Sequence, residues 1–263
     1  MSIKISILNK DGELKREHSA EESVFLGFKE EYQEGDSIKV ELSTENNYLI
    51  VDLDGTLNES FIYVPGKTWE YKVITETYRT AYHPNMFKGE RHYLAVRYAK
   101  DYEVSQYRNL ALNPHDQKDD SGAYPHASAN VETRNETTFF ARNAIDGILA
   151  NEYHGRYPYQ SWGINQDPNA CLRIDFGRKV TIDRLGFILR GDYPHDSYWT
   201  EGTVTFSDGD KRVYSFEKVM DEQTFDLEKP KEIEWLEFDK LIKHEDDSPF
   251  PALTQLFVYG RNS

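Results

Sequence analysis

The chain has 263 residues, 31 of them basic and 46 acidic, for a net charge of −15. That balance leaves no basic face for phosphate and excludes nucleic acid as a partner. No apolar run approaches the ~20 residues of a membrane-spanning helix, which excludes a helical membrane protein, and a single cysteine, Cys171, excludes an internal disulfide framework and a multi-cysteine zinc site. Met1–Lys10 holds no apolar stretch of the secretory kind, so the expected location is cytoplasmic, or extracellular if this chain is cut from a longer one. A hydrophobic share of 38% with 14% aromatics is enough for packed cores.

Eighteen tyrosines, fourteen phenylalanines and frequent Val, Ile and Thr favour strands over helices. Alternating or apolar runs bounded by turn residues follow one another along the chain. The first set is Ile3–Leu8, Ser37–Leu42, Tyr48–Leu53, Phe61–Val64, Trp69–Ile74 and His92–Tyr98. The second is Cys171–Phe176, Thr181–Leu189, Thr200–Phe206, Arg212–Phe216, Gln223–Phe225, Ile233–Leu241 and Thr254–Tyr259, separated by Gly177–Lys179, Ser207–Asp210 and Leu227–Pro230. Helical pattern is confined to a short stretch around Phe139–Ile145. The expected fold is all-β, two antiparallel β-sandwiches, with a boundary in the polar segment Lys100–Arg108 that gives domains 1–104 and 105–263.

Asp52-Leu53-Asp54-Gly55-Thr56 resembles the first motif of haloacid-dehalogenase-like phosphohydrolases. That chemistry needs a parallel sheet with a helix after each strand. Here another strand pattern and then Pro65-Gly66 follow at once, so the motif reads as the turn of a hairpin.

From Asn109 to Gly260 an ordered set of segments resembles the discoidin-type (coagulation-factor type C) modules of the galactose-binding-like superfamily, in particular the family 32 carbohydrate-binding modules. The set comprises Asn109–Leu112, Ala127-Ser128-Ala129, Asn143-Ala144-Ile145-Asp146-Gly147, Ser161-Trp162, Leu172–Gly177 with Val180-Thr181-Ile182, Thr203–Gly209 and Leu256–Gly260. It spans a little over half of the chain; Met1–Ala99 resembles nothing that can be named. The resemblance implies a jelly-roll sandwich that binds a saccharide. It also implies a structural Ca²⁺, for which Asp146 is the remaining ligand. Two departures stand out. Fourteen residues, including Tyr153, His154, Arg156, Tyr157 and Tyr159, separate Gly147 from Trp162, and Gln255 stands where the family often has a Ca²⁺-ligating Glu. A hard cation that wants six to eight oxygens is weakened by a lost carboxylate. The alternative for Asp146 is an Asp-Gly turn held by its own hydrogen bonds.

Strand parity gives a site argument that needs no family. If each strand crosses the second sandwich, alternate connections share an end. Arg190–Trp199, Glu217–Glu222, Lys243–Leu253 and the loop before Cys171 then lie together, opposite the short turns at Gly177–Val180, Ser207–Lys211 and Leu227–Glu232. The first end is long-looped and rich in His, Tyr, Trp, Arg and Asp, and loops held by a rigid scaffold carry function. Within it Arg190, Asp192, His195 and Trp199 offer donor, acceptor, titratable and stacking groups, the mixture that a sugar needs. Tyr124 and His126 are expected at the same rim, and Phe250, between Pro249 and Pro251, as a stacking platform. The bland alternatives are a self-paired Arg and Asp, a core Trp199 and a structural His126.

Three functions compete. The first is a non-catalytic saccharide-binding protein, with anionic sugars favoured by the Arg190 fork. The second is an enzyme acting on a sugar or sugar acid through His126, His195 and Asp192. The third is an interaction domain whose loops are buried against the first domain or in a homo-oligomer.

Overall fold

A computed structural model of the protein describes Ser2–Glu76 and Tyr78–Ser263. Strands account for 46% of residues and helix for 7%, and the ladders are antiparallel. The N-terminal strands are β1 (Ile3–Leu8), β2 (Leu14–Ala20), β3 (Ser23–Phe28), β4 (Ser37–Leu42), β5 (Asn47–Asp52), β6 (Ser60–Val64), β7 (Thr68–Lys72) and β8 (His92–Tyr98). They form two four-stranded sheets, ordered β2-β1-β4-β7 and β3-β8-β5-β6. Alternation of apolar and polar side chains turns one face of each inward. Ile3, Ile5, Val40, Leu49, Val51, Trp69 and Leu94 fill the space between them. β2 and β3 carry no strand signal that the sequence reading used. β2 is a charged, exposed edge, and β3 buries only Val24, Leu26 and Phe28.

A short helix α1 (Asp101–Ser105) lies in the Lys100–Arg108 segment, capped where Glu103 accepts from the Lys100 backbone and pairs with Arg97. The remaining strands are β9 (Arg108–Asn109), β10 (His126–Ala129), β11 (Trp162–Gly163), β12 (Leu172–Leu189), β13 (Trp199–Phe206), β14 (Lys211–Ser215), β15 (Gln223–Lys243) and β16 (Ala252–Asn262). Gly177–Lys179 and Leu227–Pro230, expected as breaks between strands, are instead corners inside continuous strands. β12 and β15 pair from Leu172–Phe238 to Phe187–Gln223, and the register slips twice, once on each strand, between Asp175 and Val180 and between Lys231 and Asp226. Bulges of this kind let a strand pass from one layer to the other. The fold-over is visible in the packing. Phe187 is paired with Gln223, yet its ring lies 5.1 Å from that of Phe238 at the other end of β15. Each long strand therefore runs down one layer and back up the other, with Trp162, Phe176, Phe206, Phe238 and Leu256 between them. The Phe139–Ile145 region forms two 3₁₀ turns, Thr137–Phe139 and Ala141–Ile145.

The corner of β12 requires a glycine. Gly177 has φ +64°, and a Cβ there would stand 2.5 Å from the Tyr124 ring. Tyr124 in turn exchanges both backbone hydrogen bonds with Tyr63 of β6 at 2.8 Å. The Asn113–Tyr124 segment thus joins the two sandwiches, with Ala123 inside the N-terminal core. The Asp54-Gly55 turn is also confirmed as structural: Asp54 accepts from the Thr56 and Phe87 amides, and antiparallel β5 and β6 flank it.

His115 locks the same junction. Its Nε2 accepts from the Leu53 amide at 3.3 Å, so Nδ1 carries the proton and donates to Ser60 Oγ at 2.6 Å. Burial, helped by Arg142, lowers its pKa from 6.5 to about 3. Between those values the unfolded chain binds a proton that the folded one does not. The contribution is complete above the unfolded value and is lost as pH falls below it. Lowering pH from about 7.5 to about 5 is expected to depress the melting temperature. His115→Gln is expected to start lower and to show a shallower acid slope, a comparison that calorimetry at a series of pH values makes directly.

Candidate functional site

The end of β12 and the start of β16 are neighbours, with Leu189 paired to Leu253. The loops that leave them, Arg190–Tyr198 and His244–Pro251, consequently meet. Arg190 fastens the junction: its amide donates to Ala252 O at 3.0 Å, and its Nη2 donates to the carbonyls of His195 and Phe250. Beside them β11 pairs Trp162 with Leu253, which brings up Gly163–Gln166. A cleft of about 240 Å³ opens between these pieces. It is lined by Arg190, His195, Pro249 and Phe250 from the two loops, by Gly163–Gln166 after β11, and by Thr133, Arg134, Phe139 and the half-exposed His154.

Part of this lining is held in strained backbone. Arg134, Asn135, Asn165 and Gln166 all have φ between 51° and 59°, a left-handed region that side-chain-bearing residues enter at a cost of about 1–2 kcal/mol each. The Thr133 hydroxyl accepts from the Asn165 amide at 2.9 Å and ties the two strained pairs together. Gly163 is obligatory beneath them, because a Cβ would lie 2.7 Å from that hydroxyl. Burial lowers the Arg190 pKa to about 10, against the pull of Asp192, so the guanidinium stays charged at neutral pH.

Arg190, Asp192, His195 and Phe250 are therefore brought together, Asp192 lying buried behind the histidines. Three other expected residues are not, and each has a physical reason. Trp199 is fully buried, 6.3 Å from Trp162 and 6.0 Å from Phe238 between ring centres; the first residue of β13 points into the core. Tyr124 packs on the Gly177 corner, at the opposite end of the sandwich. His126 pairs with Asp175 next to that corner and is held by Asp116 at 2.8 Å. Burial opposes a charge on His126, but the Asp116 bond and the nearby charges of Asp116, Asp120 and Asp175 together outweigh it and raise the pKa. His126 is structural and cannot share a substrate with His195. His154, Asn165 and Gln166 were not singled out as site residues, although the long Gly147–Trp162 insertion that contains His154 was conspicuous.

A larger cleft of about 900 Å³ lies where the two sandwiches meet, lined by Asp36, Lys72, Tyr82, Asp119 and Arg142 among others. Of its charges, Lys72 pairs with Asp119, and Asp36 pairs with Lys15 from outside the lining. It too carries an exposed aromatic side chain, Tyr78.

Asp146 does not fit a calcium ion. Its Oδ1 accepts from the Ile148 amide and from Gln255 Nε2 at 2.8 and 2.9 Å, and its Oδ2 from Gln160 at 2.7 Å, with Arg142 Nη1 at 3.5 Å. Gln255 Nε2 also faces the carbonyls of Asn143 and Thr254 at 2.7 Å. An amide nitrogen thus sits among the very oxygens that would surround a cation, and the guanidinium supplies the positive charge. Ca²⁺ titrated into chelator-treated protein is expected to leave the melting temperature unchanged, whereas Gln255→Ala is expected to lower it by removing three buried donor contacts.

No protein-family model matches the sequence, and no curated protein matches it. Among solved structures, chitosan-binding module 1 of a chitosanase/glucanase from Paenibacillus sp. IK-5 is 16% identical with a TM-score of 0.41, over 58% of this chain and 98% of that one. The family 32 module of C. perfringens NanJ, in complex with galactose, is 19% identical with a TM-score of 0.39, over 51% and 91%. A fucose-binding module of Streptococcus pneumoniae is 15% identical with a TM-score of 0.41, over 59% and 98%. The solved structures to which this chain is similar thus include modules of the kind that its C-terminal sequence resembles.

Proposed function

We propose that the protein binds a saccharide in the cleft between Arg190–His195, Gly163–Gln166 and Pro249–Ala252, without converting it. The observation that carries this reading is the convergence of Phe250, 43% exposed, with Arg190, Asn165 and Gln166 on one small open cleft. A sugar ring presents C–H groups on its faces and hydroxyl groups around its rim. Phe250 and Phe139 supply apolar surface for the first, and amide, hydroxyl and guanidinium groups serve the second. A cleft of about 240 Å³ is smaller than the usual pocket for a drug-sized ligand and suits one ring with its neighbours in solvent.

A carboxylate-bearing sugar is the preferred ligand in this reading. Arg190 keeps its charge; Arg134 also lines the cleft, but its guanidinium is paired with Glu136. Asp192 is buried and turned toward the histidines, outside the lining of the cleft. Part of the Arg190 fork is spent on the His195 and Phe250 carbonyls, so the preference rests on charge more than on bidentate pairing. Catalysis by His126 with His195 is set aside, since the two belong to opposite ends of the sandwich. Burial of these loops against the N-terminal sandwich is set aside too, because none of the cleft's lining residues comes from it.

Titration calorimetry against a panel of neutral hexoses and uronic acids tests the reading. At least one saccharide is expected to bind, uronic acids more tightly than their neutral counterparts. Phe250→Ala is expected to weaken binding several-fold to about tenfold with the melting temperature in place. Undiminished binding by Phe250→Ala would overturn the assignment of the cleft.

A further inference from the structure

We propose that His154, Asp192 and His195 form a binding site for a divalent first-row transition metal, with Zn²⁺ the best-suited ion, at the mouth of the cleft. The site does not depend on the saccharide reading. The ligating atoms of the three side chains all lie within 4.8 Å of one another. Asp192 is 3% exposed, and its Oδ2 faces two imidazoles at once, hydrogen-bonded to His154 Nδ1 and 3.5 Å from His195 Nδ1. The two rings stand 4.7 Å apart at 70°. A four-coordinate ion with bonds of about 2.0–2.1 Å sets its donors roughly 3.3 Å from each other, close to the 3.5 Å between Asp192 Oδ2 and His195 Nδ1.

Two observations separate this cluster from an ordinary hydrogen-bonded histidine. First, His195 Nδ1 is buried and has no hydrogen-bond partner. A buried ring nitrogen left unpaired beside a carboxylate and a second imidazole is costly unless something else satisfies it. Second, the scaffold is fixed on both sides of the gap. The Gly191 amide donates to Asn151 O, and Asn151 Nδ2 donates to the carbonyls of Leu189 and Met220, all at 2.8–2.9 Å. That mesh holds the Asn151–His154 segment against the Arg190–His195 loop before any ion arrives.

The donor chemistry selects the ion. Two imidazole nitrogens and one carboxylate suit Zn²⁺ and its transition-metal neighbours, while Ca²⁺ and Mg²⁺ would find only one charged oxygen donor. Three protein ligands leave a fourth position open. His154 and His195 both line the cleft, so that position is available to a molecule held there. Arg190 adds a second positive charge nearby, which moderates affinity and favours an anionic fourth ligand.

The test is calorimetric titration of ZnCl₂ into chelator-treated protein with no saccharide present, with CaCl₂ as the control and thermal unfolding as the second readout. One Zn²⁺ is expected per chain, with a rise in melting temperature that CaCl₂ does not produce. His154 is half exposed, so His154→Ala is expected to fold normally and to bind Zn²⁺ at least tenfold more weakly; a His154→Ala, His195→Ala double variant should not bind at this site at all. Absence of saturable Zn²⁺ binding, or equal binding by the parent and the double variant, would overturn the proposal. Repeating the saccharide titration in chelator separates the two readings, since sugar binding that survives there leaves the metal result to stand or fall on its own.

Discussion

The corner in the β12–β15 ribbon is the constraint from which the rest of the second sandwich follows. An antiparallel pair that ran straight would place Leu172 and Leu189 at opposite extremes. The two bulges bend the ribbon through the edge of the core, so the ends of β12 and β15 return to the side from which they started. Only after that bend can Leu189 sit beside Leu253 of β16, Trp199 beside Lys243 of β15, and the loops between them close on one cleft. Gly177 makes the bend sterically feasible, and the Tyr124 ring occupies the space that a Cβ would need.

The same corner ties the second sandwich to the first. Tyr124 continues into the backbone exchange with Tyr63, and Arg178, one residue beyond Gly177, lies 5.2 Å from the rings of both Tyr48 and Tyr63. Burial lowers the Arg178 pKa to about 10, and its guanidinium is held by Asn262 and the Phe176 carbonyl. Arg108 lies 3.9 Å from the Phe61 ring. Cations on aromatic faces thus fill a junction that contains little paired charge. The first sandwich braces the corner end and, through Thr80 and His83, also touches Thr137 and Tyr157, while contributing no residue to the lining of the cleft. Rigidity at one end is what makes loops at the other precise enough to hold side chains in fixed relation.

Much of this was legible in the residues. Period-two runs located most strands, because sandwich strands with one inward face advertise themselves by alternation. Charged β2 does not alternate, since it is an exposed edge, and so it escaped. Parity grouped the long loops at one end, although its premise of separate strands at Gly177 and Leu227 was replaced by bent ones; a strand that folds over between layers returns to the same end as a hairpin would. Arg190, Asp192, His195 and Phe250 were within reach for that reason. Trp199 was misplaced because a residue at the junction of loop and strand can face either way, and only packing decides. Tyr124 and His126 were misplaced because Asn113–Tyr124 is an irregular connector to which parity does not apply. The replacement of a cation by Gln255 was visible as a lost carboxylate. That the amide nitrogen would take the cation's place needed the three-dimensional arrangement of Asn143, Asp146 and Thr254.

The central claim is that one end of the second sandwich, and not the larger groove between the sandwiches, is where this protein meets its ligand. Amide chemical-shift mapping by two-dimensional NMR, with the saccharide that binds best added in steps, tests it residue by residue. The account predicts shifts concentrated in Thr133–Arg134, Gly163–Gln166, Arg190–His195 and Phe250–Ala252, with the Gly177 corner unmoved. Shifts centred on Gly35–Ser37, Lys72–Thr75 and Lys118–Ser121 would place the ligand in the other groove and contradict it.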